Sequence, residues 1–174
     1  DLLVRPDAVS RVLHVLERDP TVAAVFGSYD STPRARGVVS QYRNLLHHYV
    51  HQQGNVEAST FWAGCGAIRR SVFDEIGGFD EKRFTRCIED IELGYRLRQG
   101  GHRIVLEKVL QGKHLKRWTL LSVIRTDVGC RAVPWTRLIL ERKTAPDYLN
   151  LKGGQRASVA LVGLGCLLLL LATL

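Results

Sequence analysis

The chain has 174 residues, of which 45% are hydrophobic and 24% are charged, and its formal net charge is +8. This length and composition suit one packed domain and exclude a wholly disordered chain. A high positive charge is also typical of nucleic-acid-binding proteins, but the sequence has no zinc-finger spacing and no aromatic RNA-binding signature, so we expect no nucleic-acid partner.

The predicted elements alternate between helix and strand patterns over the first 110 residues. Apolar residues at helical spacing after Pro6 predict a helix that ends near Asp19, and TVAAVFGS predicts a buried strand. The remaining elements are, in chain order, a loop over 30–37, a helix over 38–53, a strand over 61–70, a short helix to Ile76, a helix from Glu89 to the Gly100-Gly101 pair and a strand over 103–110. This alternation is typical of an α/β layered domain.

The positive charge is concentrated in one later segment. Residues 111–156 hold ten Lys or Arg and three acidic residues, which leaves a net charge of only +1 for the rest of the chain. Pro134 divides this segment into two predicted helices. Leu121, Ile124 and Val128 form an apolar stripe on the first of them, and Arg125 and Arg131 are available to lipid headgroups. We therefore expect a membrane surface as partner; packing of these helices against the domain is the alternative.

The last eighteen residues, ASVALVGLGCLLLLLATL, contain no charged side chain. A run of this length after a basic segment is typical of a membrane span whose preceding residues lie on the cytoplasmic side. A buried core helix is the alternative, but five consecutive leucines at 167–171 leave no polar face. We predict a transmembrane helix over 157–174.

Two adjacent carboxylates, Glu89 and Asp90, stand at the start of the helix in CIEDIELGYRLRQGGHRI. Acidic side chains in a first turn complement the partial positive charge of a helix N-terminus. A carboxylate held in that place can also serve as a general base. The residues by themselves leave both interpretations open.

The histidines and cysteines are candidate metal ligands. His47 and His51 fall on one face of the predicted second helix with His48 beside them, which makes a possible metal pair. The absence of a nearby acid or cysteine favours a surface or interface role instead. The four cysteines form no C-x-x-C pair, and a reducing compartment predicts free thiols.

Three motifs in order carry a resemblance to a known family. FWAGCGAIRRSVFDEIGGFDE, IEDIELGYRLRQGGHRI and HLKRW stand ahead of basic amphipathic helices. Over nearly its whole length the chain thereby resembles the bacterial membrane-associated family 2 glycosyltransferases. The resemblance implies a partial GT-A fold, which is Rossmann-like with a mixed sheet, and transfer of a sugar from a nucleotide-diphosphate donor with inversion.

The resemblance also implies a division of the chain. Residues 1–118 correspond to the C-terminal part of a GT-A catalytic domain, 119–156 to basic amphipathic juxtamembrane helices and 157–174 to a transmembrane helix. Asp1 corresponds to the last carboxylate of an Asp-x-Asp metal motif. We therefore expect a fragment that lacks the N-terminal nucleotide-binding part.

The resemblance further implies roles for particular residues. Asp90 corresponds to the general base, and Glu89 helps to orient the acceptor. Gly64 and Gly66 line the cleft near the donor sugar and the acceptor, although glycines in a strand are also typical of a bulge.

HLKRW departs from the Gln-x-x-Arg-Trp of polymer-making relatives, because His114 replaces the glutamine. This weakens any inference of processive synthesis. The resemblance makes His114 a candidate extra metal ligand, because imidazole suits Mn²⁺, and a hydrogen bond to phosphate is the alternative. The expected metal is Mn²⁺ or Mg²⁺. Arg117 is the expected phosphate contact, since its planar fork pairs with phosphate oxygens. Trp118 is expected either to stack on the acceptor sugar or to anchor the chain at the membrane interface.

These observations together predict an inverting glycosyltransferase of the bacterial cell envelope. We expect it to move a sugar from a nucleotide-diphosphate donor to a hydroxyl of a lipid, lipid-linked or polysaccharide acceptor, with a divalent metal at the pyrophosphate. We expect it at the inner membrane with the catalytic domain in the cytoplasm. A catalytically silent membrane-tethered binding or scaffold domain is the alternative.

Overall fold

A five-stranded mixed sheet lies at the centre of the computed structural model, which describes residues 2–84, 87–142 and 153–173. The strands are β1 Leu2–Val4, β2 Val22–Tyr29, β3 Glu57–Ala58, β4 Gly66–Ile68 and β5 Arg103–His114. Strand β5 runs parallel to β2 and antiparallel to β1 and β3, and β4 lies antiparallel to β2 on the other side. The α/β fold with a mixed sheet is confirmed; its assignment to the GT-A class remains a prediction.

Seven α-helices accompany the sheet in the described residues. They are α1 Ala8–Arg18, α2 Val38–Gln52, α3 Arg70–Glu75, α4 Glu89–Gln99, α5 Leu120–Arg125, α6 Val133–Arg142 and α7 Gly153–Ala172. A 3₁₀ turn covers Ala63–Cys65, and a π-helical turn, Thr126–Ala132, joins α5 to α6. The predicted division into two helices at Pro134 is wrong, because the π-helical turn runs into α6 without a break and Pro134 is the second residue of α6.

The main core lies between the sheet and α4. Phe26, Ile104 and Leu106 of the two central strands pack with Leu93 and Leu97 of α4, and all five are almost completely buried. Gly94 allows this close approach, because a Cβ there would lie 2.3 Å from the backbone nitrogen of Phe61. The packing of α4 on residues 60–61 therefore fixes where this helix begins, and with it the carboxylate pair.

Helix α2 presents polar residues to the interior. Ser40, Asn44 and His51 are buried. The apolar residues that the sequence places together on one side of this helix are all exposed: Tyr42, Leu45, Leu46 and Tyr49. Hydrogen bonds to the sheet and to the 114–118 region explain the polar interior, because buried polar groups need partners.

The predicted strand over 61–70 is wrong in its length. Only Gly66–Ile68 forms a strand, and residues 63–65 form a 3₁₀ turn instead. The side chain of Trp62 folds back against Gly64, where a Cβ would lie 2.4 Å from the indole ring. This compact arrangement is incompatible with a continuous extended strand.

Helix α6 packs on α4. Leu138 is 2% exposed and lies in one cluster with Ile88 and Tyr95. The indole nitrogen of Trp135 donates a hydrogen bond to the Tyr95 hydroxyl at 2.9 Å. Helix α6 therefore packs against the domain, which was the alternative to a membrane contact. The apolar stripe of Leu121, Ile124 and Val128 is exposed, and its contact with lipid remains a prediction.

The apolar run at the end of the chain forms most of α7, and its described side chains are exposed. Among the residues that the structure describes, no helix combines the length and apolar character needed to cross a membrane. The predicted transmembrane helix over 157–174 is therefore not supported.

Candidate functional site

A cleft of about 370 Å³ opens beside the start of α4. Its walls come from the C-terminal half of α2, residues 60–62, residues 87–91 and the 126–135 region, with Lys116 at one side. These segments are far apart in sequence, and the packing of α2, α4 and α6 brings them together. The cleft contains the predicted carboxylate pair.

Asp90 is held in a fixed direction by two backbone donors. The N–H of Ile91 donates to its Oδ1 at 2.8 Å, and the N–H of Ala63 donates to its Oδ2 at 3.1 Å. Burial raises the pKa of Asp90, and the hydrogen bond from Ala63 acts against this effect. Asp90 therefore satisfies a first-turn N–H of α4 and also lines the cleft, and its role as a general base remains a prediction.

Glu89 is the less satisfied carboxylate of the pair. Its Oε2 is buried and has no hydrogen-bond partner within the described part of the chain. Ile88, just before it, has a left-handed backbone with φ of 59°, which is costly for a β-branched residue. Backbone strain and an unpaired carboxylate oxygen at one turn are typical of a functional site.

A stack of aromatic rings forms the opposite wall. The ring of His47 lies 4.0 Å from that of His51, 4.1 Å from that of Tyr29 and 4.5 Å from that of Trp62, measured between centroids. His51 Nδ1 donates to the Gly27 carbonyl at 2.9 Å, which fixes its tautomer.

Both of these histidines are neutral at physiological pH. Burial lowers the pKa of His51 to about 4 and lowers the pKa of His47 well below its ordinary value. No group of three or more His, Cys, Asp or Glu among the described residues is arranged to hold a metal ion. The histidines therefore wall the cleft as packed neutral rings, and the metal-pair interpretation has no support.

The HLKRW motif contributes only Lys116 to the cleft lining. His114 is 4% exposed, stacks on Tyr29 at 4.3 Å between ring centroids and bonds through Nδ1 to Oδ1 of Asn44. Burial lowers the pKa of His114 to about 4. This histidine is thus engaged in the interior, and its predicted role as a metal ligand is untested.

Arg117 and Trp118 lie away from Asp90. Arg117 is exposed and borders a separate surface groove with Arg34 and Arg36. Trp118 is 8% exposed, and its backbone N–H donates to Ser40 Oγ at 2.8 Å, so its side chain is buried rather than free to anchor at an interface. The structure does not bring these two predicted substrate-binding residues together with the carboxylates.

Close packing explains why positions 64 and 66 are glycines. Cβ atoms on them would meet the rings of Trp62 at 2.4 Å and Phe61 at 2.8 Å, respectively. Both glycines border an apolar groove beside α1, not the cleft. Their role in substrate binding remains a prediction, although Gly64 positions Trp62, whose side chain lines the cleft. Asp1, the other predicted metal ligand, lies outside the described residues.

Most residues that line the cleft were not predicted as site residues, among them Trp62, Lys116 and Arg131. Sequence reasoning assigned Arg131 to lipid headgroups, because it lies in a basic amphipathic segment. Its position in the cleft follows from the docking of α6 on α4, for which the sequence contains no local signal.

Comparison with known proteins gives one partial match. Over 56 residues, or 30% of the chain, the sequence is 45% identical to the O-antigen biosynthesis protein RfbC of Myxococcus xanthus. The chain spans about 4% of the length of this relative. No family model matches the chain. The chain is therefore similar, over a short stretch, to a protein named for O-antigen biosynthesis.

Proposed function

We propose that the chain acts as an inverting glycosyltransferase. It would move a sugar from a nucleotide-diphosphate donor to a hydroxyl of a lipid, lipid-linked or polysaccharide acceptor. The observation that carries the proposal is Asp90, a half-buried carboxylate aimed by two backbone N–H groups into a cleft. The partial match to an O-antigen biosynthesis protein supports a role in sugar transfer for the cell envelope.

Asp90 is suited to remove a proton from an acceptor hydroxyl. A hydroxyl is a poor nucleophile, so its attack on the anomeric carbon is aided by a base that takes the proton as the new bond forms. The nucleoside diphosphate leaves with the bonding electrons from the opposite face of the sugar, which inverts the configuration. Because burial raises the pKa of Asp90, this carboxylate holds a proton more strongly than an exposed aspartate.

The proposal also includes the divalent metal that the family resemblance implies. The described residues offer no ligand group for it, and His114 is already bonded to Asn44. A metal would offset the charge of the departing diphosphate. The metal, the lipid acceptor and the location at the cytoplasmic side of the inner membrane remain parts of the proposal.

The test is sugar transfer by the full chain and its Asp90→Asn variant. Release of nucleoside diphosphate from a panel of nucleotide-sugars is measured with Mn²⁺ or Mg²⁺ and a lipid extract. Loss of a general base is expected to lower turnover by ~10²- to 10⁴-fold. Asp74→Asn is the matched control, since Asp74 is exposed on α3 and pairs with Arg70.

The outcomes separate the two function classes. Unchanged turnover in a folded Asp90→Asn protein would remove Asp90 as the base. No turnover of the parent chain with any donor would favour the binding or scaffold alternative.

A further inference from the structure

Two basic side chains at the cleft lack a full set of partners. Lys116 Nζ lies 4.1 Å from the centroid of the Trp118 ring, and within the described ranges no carboxylate lies within ion-pair distance of it. Arg131 is 44% exposed, and its one ion pair among the described residues, to Asp127, is long at 3.7 Å.

Asp127 does not neutralise Arg131. Arg43 Nη2 contacts the same Oδ1 atom of Asp127 at 2.5 Å and is the closer partner. A guanidinium has five N–H donors in a fixed fork, so one long contact leaves most of them unused. Arg131 therefore retains free donors at the mouth of the cleft.

The charge of Arg131 acts on the cleft interior. It is among the causes that lower the pKa values of His47 and His51, and it opposes the rise in the pKa of Asp90. Neither Glu89 nor Asp90 forms an ion pair with it in the part of the chain that the structure describes. The cleft thus combines a directed carboxylate with the positive charges of Lys116 and Arg131, which no close ion pair neutralises among the described residues.

We propose that Arg131 and Lys116 form an anion subsite that binds a phosphate group of the substrate next to Asp90. A guanidinium fork pairs with two phosphate oxygens, and an ammonium adds a point charge. This subsite replaces the phosphate contact that the sequence assigned to Arg117, which lies in a separate groove. The assignment of this phosphate to a transferase substrate rests on the proposed function. The binding of a phosphate at the subsite does not depend on it.

Two sources of phosphate fit this chemistry. One is the diphosphate of a nucleotide-sugar donor, and the other is a phosphate on a lipid-linked acceptor. Both place phosphate oxygens near the reacting hydroxyl and the carboxylate of Asp90.

The experiment measures calorimetric binding of inorganic pyrophosphate to the purified full chain. Arg131→Gln and Lys116→Gln are each expected to weaken binding at least tenfold. Arg137→Gln and Arg117→Gln are matched controls that remove the same charge elsewhere, and they are expected to change binding less than twofold. Absence of pyrophosphate binding, or equal weakening by all four substitutions, would overturn the subsite.

A second comparison identifies the source. Binding of a nucleoside diphosphate and of a polyprenyl phosphate in detergent micelles is measured for the parent chain and Arg131→Gln. Weakening of either ligand supports the subsite and assigns its occupant, and weakening of neither overturns it. If pyrophosphate binding depends on Arg131 but no sugar transfer is detected, the subsite is supported and the transferase is rejected. If sugar transfer depends on Asp90 but pyrophosphate binding is unchanged in Arg131→Gln, the subsite is rejected and the transferase is retained.

Discussion

Asp90 is subject to opposing influences from its immediate surroundings. Burial and the charge of Glu89 raise its pKa, while the hydrogen bonds from Ala63 and Ile91 and the charge of Arg131 lower it. Each charged neighbour can be removed without touching the carboxylate itself. The sign of each effect is therefore open to direct measurement.

Neutralising the two neighbours is expected to shift the pH profile in opposite directions. A base works only when ionised, so turnover falls as the pH drops through the pKa of Asp90. Glu89→Gln removes a negative charge, lowers this pKa and moves the acid limb to lower pH. Arg131→Gln removes a positive charge, raises the pKa and moves the limb to higher pH. The measurements are kcat/KM against pH and NMR titration of the Asp90 carboxyl; shifts of the same sign would contradict the assignment.

Cys87, at the edge of the same cleft, is expected to react slowly with alkylating agents. Burial and a hydrogen bond with Cys130 raise the pKa of Cys87 to about 12, so almost none of it is thiolate at pH 8. Because the thiolate is the nucleophile, alkylation in the folded protein should be at least ~100-fold slower than after denaturation. Mass spectrometry after iodoacetamide treatment measures this, with exposed Cys166 as internal control. Equal rates for the two cysteines would show that the pKa of Cys87 is not raised.

At the scale of elements, α4 depends on a close contact at Gly94. A Cβ at this position would lie 2.3 Å from Phe61 N and 2.8 Å from Thr60 C, and backbone atoms cannot move aside cheaply. Gly94→Ala is therefore expected to destabilise the protein by about 2 kcal/mol or more, although alanine favours helices. At Gly129 a Cβ would meet nothing within 4 Å, so Gly129→Ala should change the free energy of unfolding by less than about 1 kcal/mol. Urea denaturation of the two variants measures the difference, and equal stabilities would refute this contact.

Helix α6 is tied to α4 through Glu92. This carboxylate is 3% exposed and pairs with Arg96 of its own helix at 2.8 Å and with Arg142 of α6 at 2.6 Å. Arg96 also donates to the carbonyls of Ile76 and Gly78, at 2.6 Å each. The network holds the segment that carries Arg131 and Trp135 over the cleft.

Glu92→Gln is expected to cost about 3 kcal/mol in the free energy of unfolding, because it leaves buried arginine donors without their carboxylate. Glu141→Gln is the matched control. Its pair with Arg83 is more than half exposed, and such pairs contribute about 0 to 1 kcal/mol. Similar losses in the two variants, measured by chemical denaturation, would mean that the Glu92 network does not join the helices.

At the scale of the whole molecule, sequence patterns predicted the elements better than their assembly. The buried strand at 22–29, the helix at 89–99 and the strand from Arg103 each have a clear apolar pattern and turn residues at their ends. The docking of α6 on α4 has no such pattern, because Arg142 and Glu92 are distant in sequence and their types are common on surfaces. Helical periodicity alone likewise does not predict that the apolar face of α2 is exposed and that its polar face is buried.

The same distinction applies to the candidate site. Glu89 and Asp90 were predicted as site residues because two adjacent acidic residues at a helix start form a pattern visible in the local sequence. Trp62 and Lys116 stand inside motifs that carry the family resemblance, but the predicted roles went to their neighbours Gly64, Gly66 and Arg117. Arg131 stands in no motif and enters the cleft through tertiary packing. Arg117 was selected for a motif resemblance, yet the turn of the chain after β5 directs it to another surface.

The segments that form the walls of the cleft are also synthesised at different times. Ribosomes add ~5 to 20 residues per second, so about 2 to 8 s pass between the synthesis of Asp90 and that of Arg131. The 126–135 region is therefore the last cleft wall to be made, after all five strands of the sheet.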